Sequence, residues 1–139
     1  EKFQKTKLKN GIDKAVLDQL LSNMQVKKHR ASILVKQGGG LVQLKVSDLL
    51  YVYAEDGITF GVAGTRRYII EETVDQLFQS LDPSIFFRIN RGQIVCKNAI
   101  LKIEPYFNHR VKLSITSSKE LDFIVSRSRT SEFKNWMNS

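Results

Sequence analysis

Cysteine is nearly absent from this 139-residue chain: Cys96 is the single one, so no internal disulfide can form, and a lone thiol fits a reducing cytoplasm. Histidine is scarce as well. His29, His109 and Cys96 are too few to build a structural zinc site. No apolar run reaches the length of a membrane-spanning helix, and the N-terminus carries no signal-peptide pattern. The chain opens on Glu1 and not on Met, which is expected of a segment cut from something longer.

Catalytic signatures are missing too. Gly38-Gly39-Gly40 is followed by Leu41 and lacks the Gly-Lys-Ser/Thr ending of a Walker loop, so it reads as a hairpin turn. No GxGxxG, GxSxG, HExxH or CxxC occurs. Glu55 and Asp56 are adjacent in a predicted turn, and side chains next to each other in sequence seldom converge on one substrate. Cys96 has a basic neighbour in Lys97, a setting for a redox-sensitive thiol, yet it lies at a strand end, where a buried, inert cysteine is the plainer reading. No enzyme activity, cofactor, metal or small-molecule substrate is expected.

What the chain has is positive charge, unevenly spread. Lysine and arginine number 22 against 14 acidic residues, for a net +8. Residues 1–40 carry nine basic and three acidic side chains (+6), residues 41–85 three and seven (−4), and residues 86–139 ten and four (+6). Cations segregated in this way suggest a basic face toward a polyanion, which gains by releasing condensed counterions. Nucleic acid and an anionic membrane surface both fit.

Hydrophobic patterning predicts a β-rich domain. Residues 1–10 are lysine-rich and read as a linker. Ile12, Val16, Leu20 and Met24 recur every four positions and put an apolar stripe on one helical face. That helix would dock on the domain, on a partner copy or on a missing domain. After Arg30 come short runs rich in β-branched and aromatic residues: Ile33 to Lys36, Leu41 to Val46 with only loose alternation and so mixed burial, Leu50 to Ala54, Ile58 to Ala63 and Arg67 to Ile70. Turn signals at Gly38-Gly39-Gly40, Ser47-Asp48, Glu55-Asp56-Gly57 and Gly64 separate them. Residues 71–81 read as a helix with Glu71 and Glu72 in its first turn, where the dipole favours anions. Strands resume at Phe87 to Ile89, Ile94 to Val95, Ile100 to Pro105, Arg110 to Ile115 and Leu121 to Val125, the last pair joined by a turn at residues 116–119. A final helix starts near Ser126 as N-cap and turns Phe133, Trp136 and Met137 inward. Many short strands with small helices and no βαβ alternation argue for a largely antiparallel, mainly β, α+β fold. The expected division is 1–28, linker and amphipathic helix, and 29–139, the folded domain.

Four arginines stand out by position. Arg88, Arg91, Arg127 and Arg129 fall at strand ends or at a helix start, where a guanidinium fork can pair with phosphate or bidentately with guanine. Ser126-Arg127-Ser128-Arg129 combines hydroxyls, guanidinium groups and a helix start. An RNA-binding or protein-interaction β-module with a basic surface is the alternative, although Phe86, Phe87, Tyr51 and Tyr53 lie within apolar strands and read as core instead of base-stacking platforms.

The stretch Phe86-Phe87-Arg88-Ile89-Asn90-Arg91-Gly92-Gln93-Ile94-Val95, then Ile100 and Ile103-Glu104-Pro105, then Val125-Ser126-Arg127, resembles the LytTR (LytR/AlgR-type) DNA-binding domain. Leu50-Tyr51-Val52-Tyr53-Ala54-Glu55-Asp56 is similar to that family's I-x-Y-I-E-A-E-D segment. The ordered set covers about residues 31–137. The resemblance implies a cytoplasmic transcription regulator's output domain, behind a receiver domain in a two-component response regulator. It also implies small β-sheets with short helices, and loops that read successive major grooves of duplex DNA. One domain of this size covers only a short stretch of duplex, so two copies are expected on DNA half-sites. Carried over by position, the first loop is Asp56, Gly57, Ile58 and Thr59. The second follows Arg88, at Asn90, Arg91, Gly92 and Gln93. The third is Arg127, Ser128 and Arg129. Base reading is expected of Arg91 and Arg127, phosphate contact of Arg88 and Arg129. Gly92 stands where the family has Ser, Cys96 where Asn is common, and Asn90 at a frequent His position, while Gly57-Ile58 makes the first loop less polar than usual.

Overall fold

The computed structural model describes residues 29–117 and 121–139. The expected helix over residues 12–24 and part of the 116–119 turn lie outside these residues. Ten strands form where β-branched runs are bracketed by turn residues. They are β1 (Ser32–Gln37), β2 (Gly40–Lys45), β3 (Leu49–Glu55), β4 (Ile58–Ala63), β5 (Arg66–Ile70), β6 (Phe86–Asn90), β7 (Gln93–Cys96), β8 (Ile100–Tyr106), β9 (Arg110–Ile115) and β10 (Phe123–Val125). A seven-stranded sheet runs β2-β1-β5-β4-β3-β7-β6 and a three-stranded sheet runs β10-β9-β8, with antiparallel pairing throughout. Helices α1 (Val74–Ser80) and α2 (Thr130–Met137) complete the mainly β, α+β architecture.

Several local expectations are corrected by stronger local partners. Helix α1 is shorter than residues 71–81 because Thr73 caps it: its hydroxyl accepts from the Gln76 backbone N–H, and the Gln76 side chain accepts from the Thr73 N–H. Glu71 and Glu72 therefore precede the helix. Glu72 takes a two-pronged hydrogen bond from Arg30 at 2.6 and 2.8 Å, and Glu71 pairs with Lys36 at 3.4 Å. The Arg30 hydrogen bond holds the Glu72 carboxyl below its usual range. Ser126 does not cap the final helix with its side chain. A 3-10 turn at Arg127–Arg129 comes first, and α2 begins at Thr130, whose hydroxyl donates to the Ser126 carbonyl at 3.0 Å. Strand β2 buries only Leu44, because it is the outer edge of the large sheet.

The core joins the two sheets. Phe123 on β10 is fully buried and meets the ring of Tyr51 on β3 edge-on at 4.7 Å. Phe133 on α2 packs edge-on against Phe87 at 5.4 Å. The Trp136 indole, half-buried beside them, donates to the Pro83 carbonyl at 2.7 Å. Phe86, Phe87, Tyr51 and Tyr53 are all buried, as their strand positions require. Among the described residues no helix is long and apolar enough to cross a membrane, and no group of His, Cys, Asp and Glu could hold a metal.

Candidate nucleic-acid interface

The three loop regions singled out from the sequence converge on one edge of the molecule. The first is the β3–β4 hairpin turn. Asp56 (φ 54°) and Gly57 (φ 79°) both adopt the left-handed backbone that a two-residue turn between twisted strands demands, which is why Asp-Gly stands there. Ile58 is exposed at the start of β4. Thr59 is only 7% exposed, because β4 is flanked by β3 and β5, with Thr59 opposite Ala54 and Ile70. Of the four residues of this region, Asp56, Gly57 and Ile58 are exposed.

The second region is the β6–β7 turn, and it is bound to the first. The Ala54 N–H donates to the Gly92 carbonyl at 2.9 Å, so the tip of the β3–β4 hairpin projects beside Arg91 and Gly92. Asn90 shapes the turn itself. Its amide oxygen accepts from the Gly92 N–H at 3.0 Å, and its amide nitrogen donates to Gln93 Oε1 at 2.7 Å and to the Ile124 carbonyl at 2.9 Å. Gln93 in turn donates to the Asp122 carbonyl at 3.0 Å. With its side chain so engaged, Asn90 is a builder of the turn. Arg88 is similar: its side chain is 15% exposed, and its guanidinium donates to the Asp75 carboxylate and to the Arg91 carbonyl. Arg91 is left exposed at the tip.

The third region is the 3-10 turn Arg127–Arg129 after β10. It joins the second through the Ser126 N–H, which donates to the Ile89 carbonyl at 2.9 Å. Arg88, Arg91, Ser126, Ser128 and Arg129 line one concavity, with Asp75 as its acidic member. The Arg88 Nε and the Ser126 hydroxyl are buried in its wall without a hydrogen-bond partner.

Arg127 lines not that concavity but a second one, shared with His109 of the β8–β9 turn, Arg110 at the start of β9 and Lys134 of α2. Sequence reasoning passed over Arg110 and Lys134. Neither sits in a family phrase, and only their membership of the basic C-terminal block marked them.

The model of the LytTr DNA-binding domain family matches residues 39–138. The chain is 33% identical over 91 residues to the sensory transduction protein LytR of Staphylococcus epidermidis, covering 66% of this chain and 35% of that protein. It is 25% identical over 116 residues to the sensory transduction protein LytT of Bacillus subtilis, covering 84% and 46%. An uncharacterized response regulatory protein of Vibrio cholerae is 28% identical over 144 residues, covering 96% and 54%. The chain thus spans roughly a third to a half of the length of these relatives. In fold it is similar to a solved LytTr DNA-binding domain of a putative methyl-accepting/DNA response regulator from Bacillus cereus. The TM-score is 0.70, the identity 23%, and the match covers 79% of this chain and 99% of that one. The chain belongs to the LytTr family of DNA-binding domains.

Proposed function

We propose that residues 29–139 bind duplex DNA sequence-specifically, as the output domain of a bacterial transcription regulator, and that residues 1–28 link them to an upstream receiver domain. The observation that carries the reading is the edge where three turns from both sheets are tied together by Ala54–Gly92 and Ser126–Ile89 backbone hydrogen bonds. Rigid placement lets loops, and not a recognition helix, enter successive major grooves from one side. The relatives, described as sensory transduction and response regulatory proteins, support a two-component setting. Selection of bound fragments from a random duplex pool tests the reading. One enriched sequence family is expected, and enrichment no better than for a scrambled duplex would overturn it.

The arginines divide by role. Arg91 and Arg127 read bases, Arg129 contacts phosphate, and Arg88 and Asn90 hold the second turn for contact. Arg91→Ala is expected to cost about 1–3 kcal/mol on the selected site and to relax preference at one base pair. Arg129→Ala should weaken all sequences evenly and flatten the salt slope by about one unit. Binding of the Arg91→Ala, Arg127→Ala double variant at full strength and selectivity would remove both from the interface.

A single module buries roughly 600–1,000 Å² of protein surface on DNA, which is thin for selection among many competing sites. Two copies therefore load on half-sites about one helical turn, or a multiple of it, apart. Inserting about five base pairs, half a turn, between half-sites rotates the second to the opposite face. Gel-shift titration should show the second loading weakened, and indifference to the insertion would exclude paired loading.

A further inference from the structure

We infer that the concavity beyond Arg127 is a second phosphate grip, in which Arg110 and Lys134 hold the DNA backbone beside the base that Arg127 reads. The inference rests on the DNA-binding reading above and adds a contact region that none of the three loops includes. The concavity measures about 730 Å³ and is walled by Pro105 and Tyr106 at the end of β8, by Asn108 and His109 of the β8–β9 turn and by Thr130 and Lys134 of α2. Its charged members are Arg110, Arg127 and Lys134, and no carboxylate lines it. The concavity on the other side of the 3-10 turn differs, since its Arg88 is already paired with Asp75. Among the described residues, neither Arg127 nor Lys134 makes an ion pair or donates a side-chain hydrogen bond to protein. Three cations grouped at one open concavity, with no carboxylate partner among the described residues, make a positive potential there that favours an anion.

The turn is built to present Arg110. Asn108 (φ 58°) and His109 (φ 61°) both take left-handed backbone, and Asn is among the few residue types that do so readily. Arg110 then donates its Nε to the Phe107 carbonyl at 3.0 Å and lies over the Tyr106 ring at 5.0 Å. The stem and one nitrogen are thereby fixed, while both terminal nitrogens stay free. A guanidinium fork held in this way suits phosphate oxygens. Lys134 adds a point charge from α2, and Arg127 joins the same lining from the turn that also carries Arg129. The ligand is the phosphodiester backbone of the duplex already engaged by Arg127.

The test is the salt dependence of binding to the selected duplex by the intact chain and by Arg110→Gln, Lys134→Gln. Each phosphate contact contributes about −0.9 to the slope of log K against log salt, so losing two should flatten it by roughly 1.8. Between 50 and 200 mM salt the intact chain should then lose about twelvefold more affinity than the variant. Preference between the selected duplex and single-base variants should be unchanged. The Arg110→Lys, Lys134→Arg variant keeps both charges and should restore the slope, which separates charge from any disturbance of the turn. If the charge-lacking variant keeps the slope of the intact chain, the grip is overturned while DNA binding stands. A flattened slope with relaxed base preference overturns the backbone assignment. An intact chain without salt-dependent duplex binding overturns the functional reading and this inference with it.

Discussion

Raising salt fourfold is expected to weaken binding to the selected duplex several hundredfold. The cations at the reading edge are Arg91, Arg127 and Arg129 with their neighbours Arg110 and Lys134, against one acidic side chain, Asp75, in the lining. If these five cations, whether set against a base edge or the backbone, together neutralise about five phosphate charges, the slope of log K against log salt is about −4.5, and a fourfold rise in salt lowers K by roughly five hundredfold. The net +8 of the chain does not set this number; the clustered part does. Within the acidic middle segment Glu72 pairs with Arg30, Glu71 with Lys36 and Asp75 with Arg88, so these carboxylates are engaged by cations other than Arg91, Arg127, Arg129, Arg110 and Lys134. Fluorescence anisotropy across a salt series measures the slope directly. A value near zero would mean that contacts other than charge carry whatever binding exists.

Much of the fold could be read from the chain because its signals are local. Every expected strand from Ile33 onward appears, since each is a β-branched or aromatic run stopped by glycine, Asp-Gly or a polar turn. The helix before β6 stands where the apolar spacing predicts it but is shorter than residues 71–81. Thr73 and Gln76 form a capping box, three residues apart and visible in sequence, and it outweighs the dipole preference that put Glu71 and Glu72 in the first turn. Ser126 shows a limit of local reading. It does stand at the N-cap position, before the 3-10 turn that leads into α2, and its carbonyl accepts from Arg129 and Thr130, but its hydroxyl is buried and caps nothing.

The candidate site was legible in part, and the rest depended on long-range pairing. Arg91 and Arg127 to Arg129 emerge at turns, as their positions at element ends suggest. Nothing in the local pattern reveals that Asn90 reaches the Ile124 carbonyl or that Gln93 reaches Asp122, bonds between elements 34 and 29 residues apart. Nor could the chain alone say that Thr59, next to a solvent-exposed turn, is buried because β4 is flanked on both sides. Arg110 and Lys134 were passed over for the same reason. They belong to different elements, and only the docking of α2 beside the β8–β9 turn brings them into one concavity.

Phe123→Ala should be the most damaging single substitution outside the arginines, because Phe123 holds the two sheets together. Its side chain is fully buried and its ring contacts Tyr51 across the sheet junction. Removing a buried phenylalanine ring costs about 3–5 kcal/mol, combining lost transfer energy with a cavity that neighbours fill only in part. Domains of this kind are stable by only about 5–15 kcal/mol, so a large share of the total would go. Urea unfolding should show a much lower midpoint with an unchanged slope. DNA binding should suffer beyond the fraction unfolded, because β10 supplies the Ile124 carbonyl that fixes Asn90 and leads directly into Arg127 to Arg129. Arg91→Ala is the control in the opposite sense: its side chain is exposed at a turn tip, so affinity should fall while the urea midpoint stays put. A Phe123→Ala protein that is destabilised but binds the selected duplex at full strength, once corrected for unfolded chain, would show that the interface does not straddle the two sheets. An unchanged midpoint would instead remove Phe123 as the joint between them.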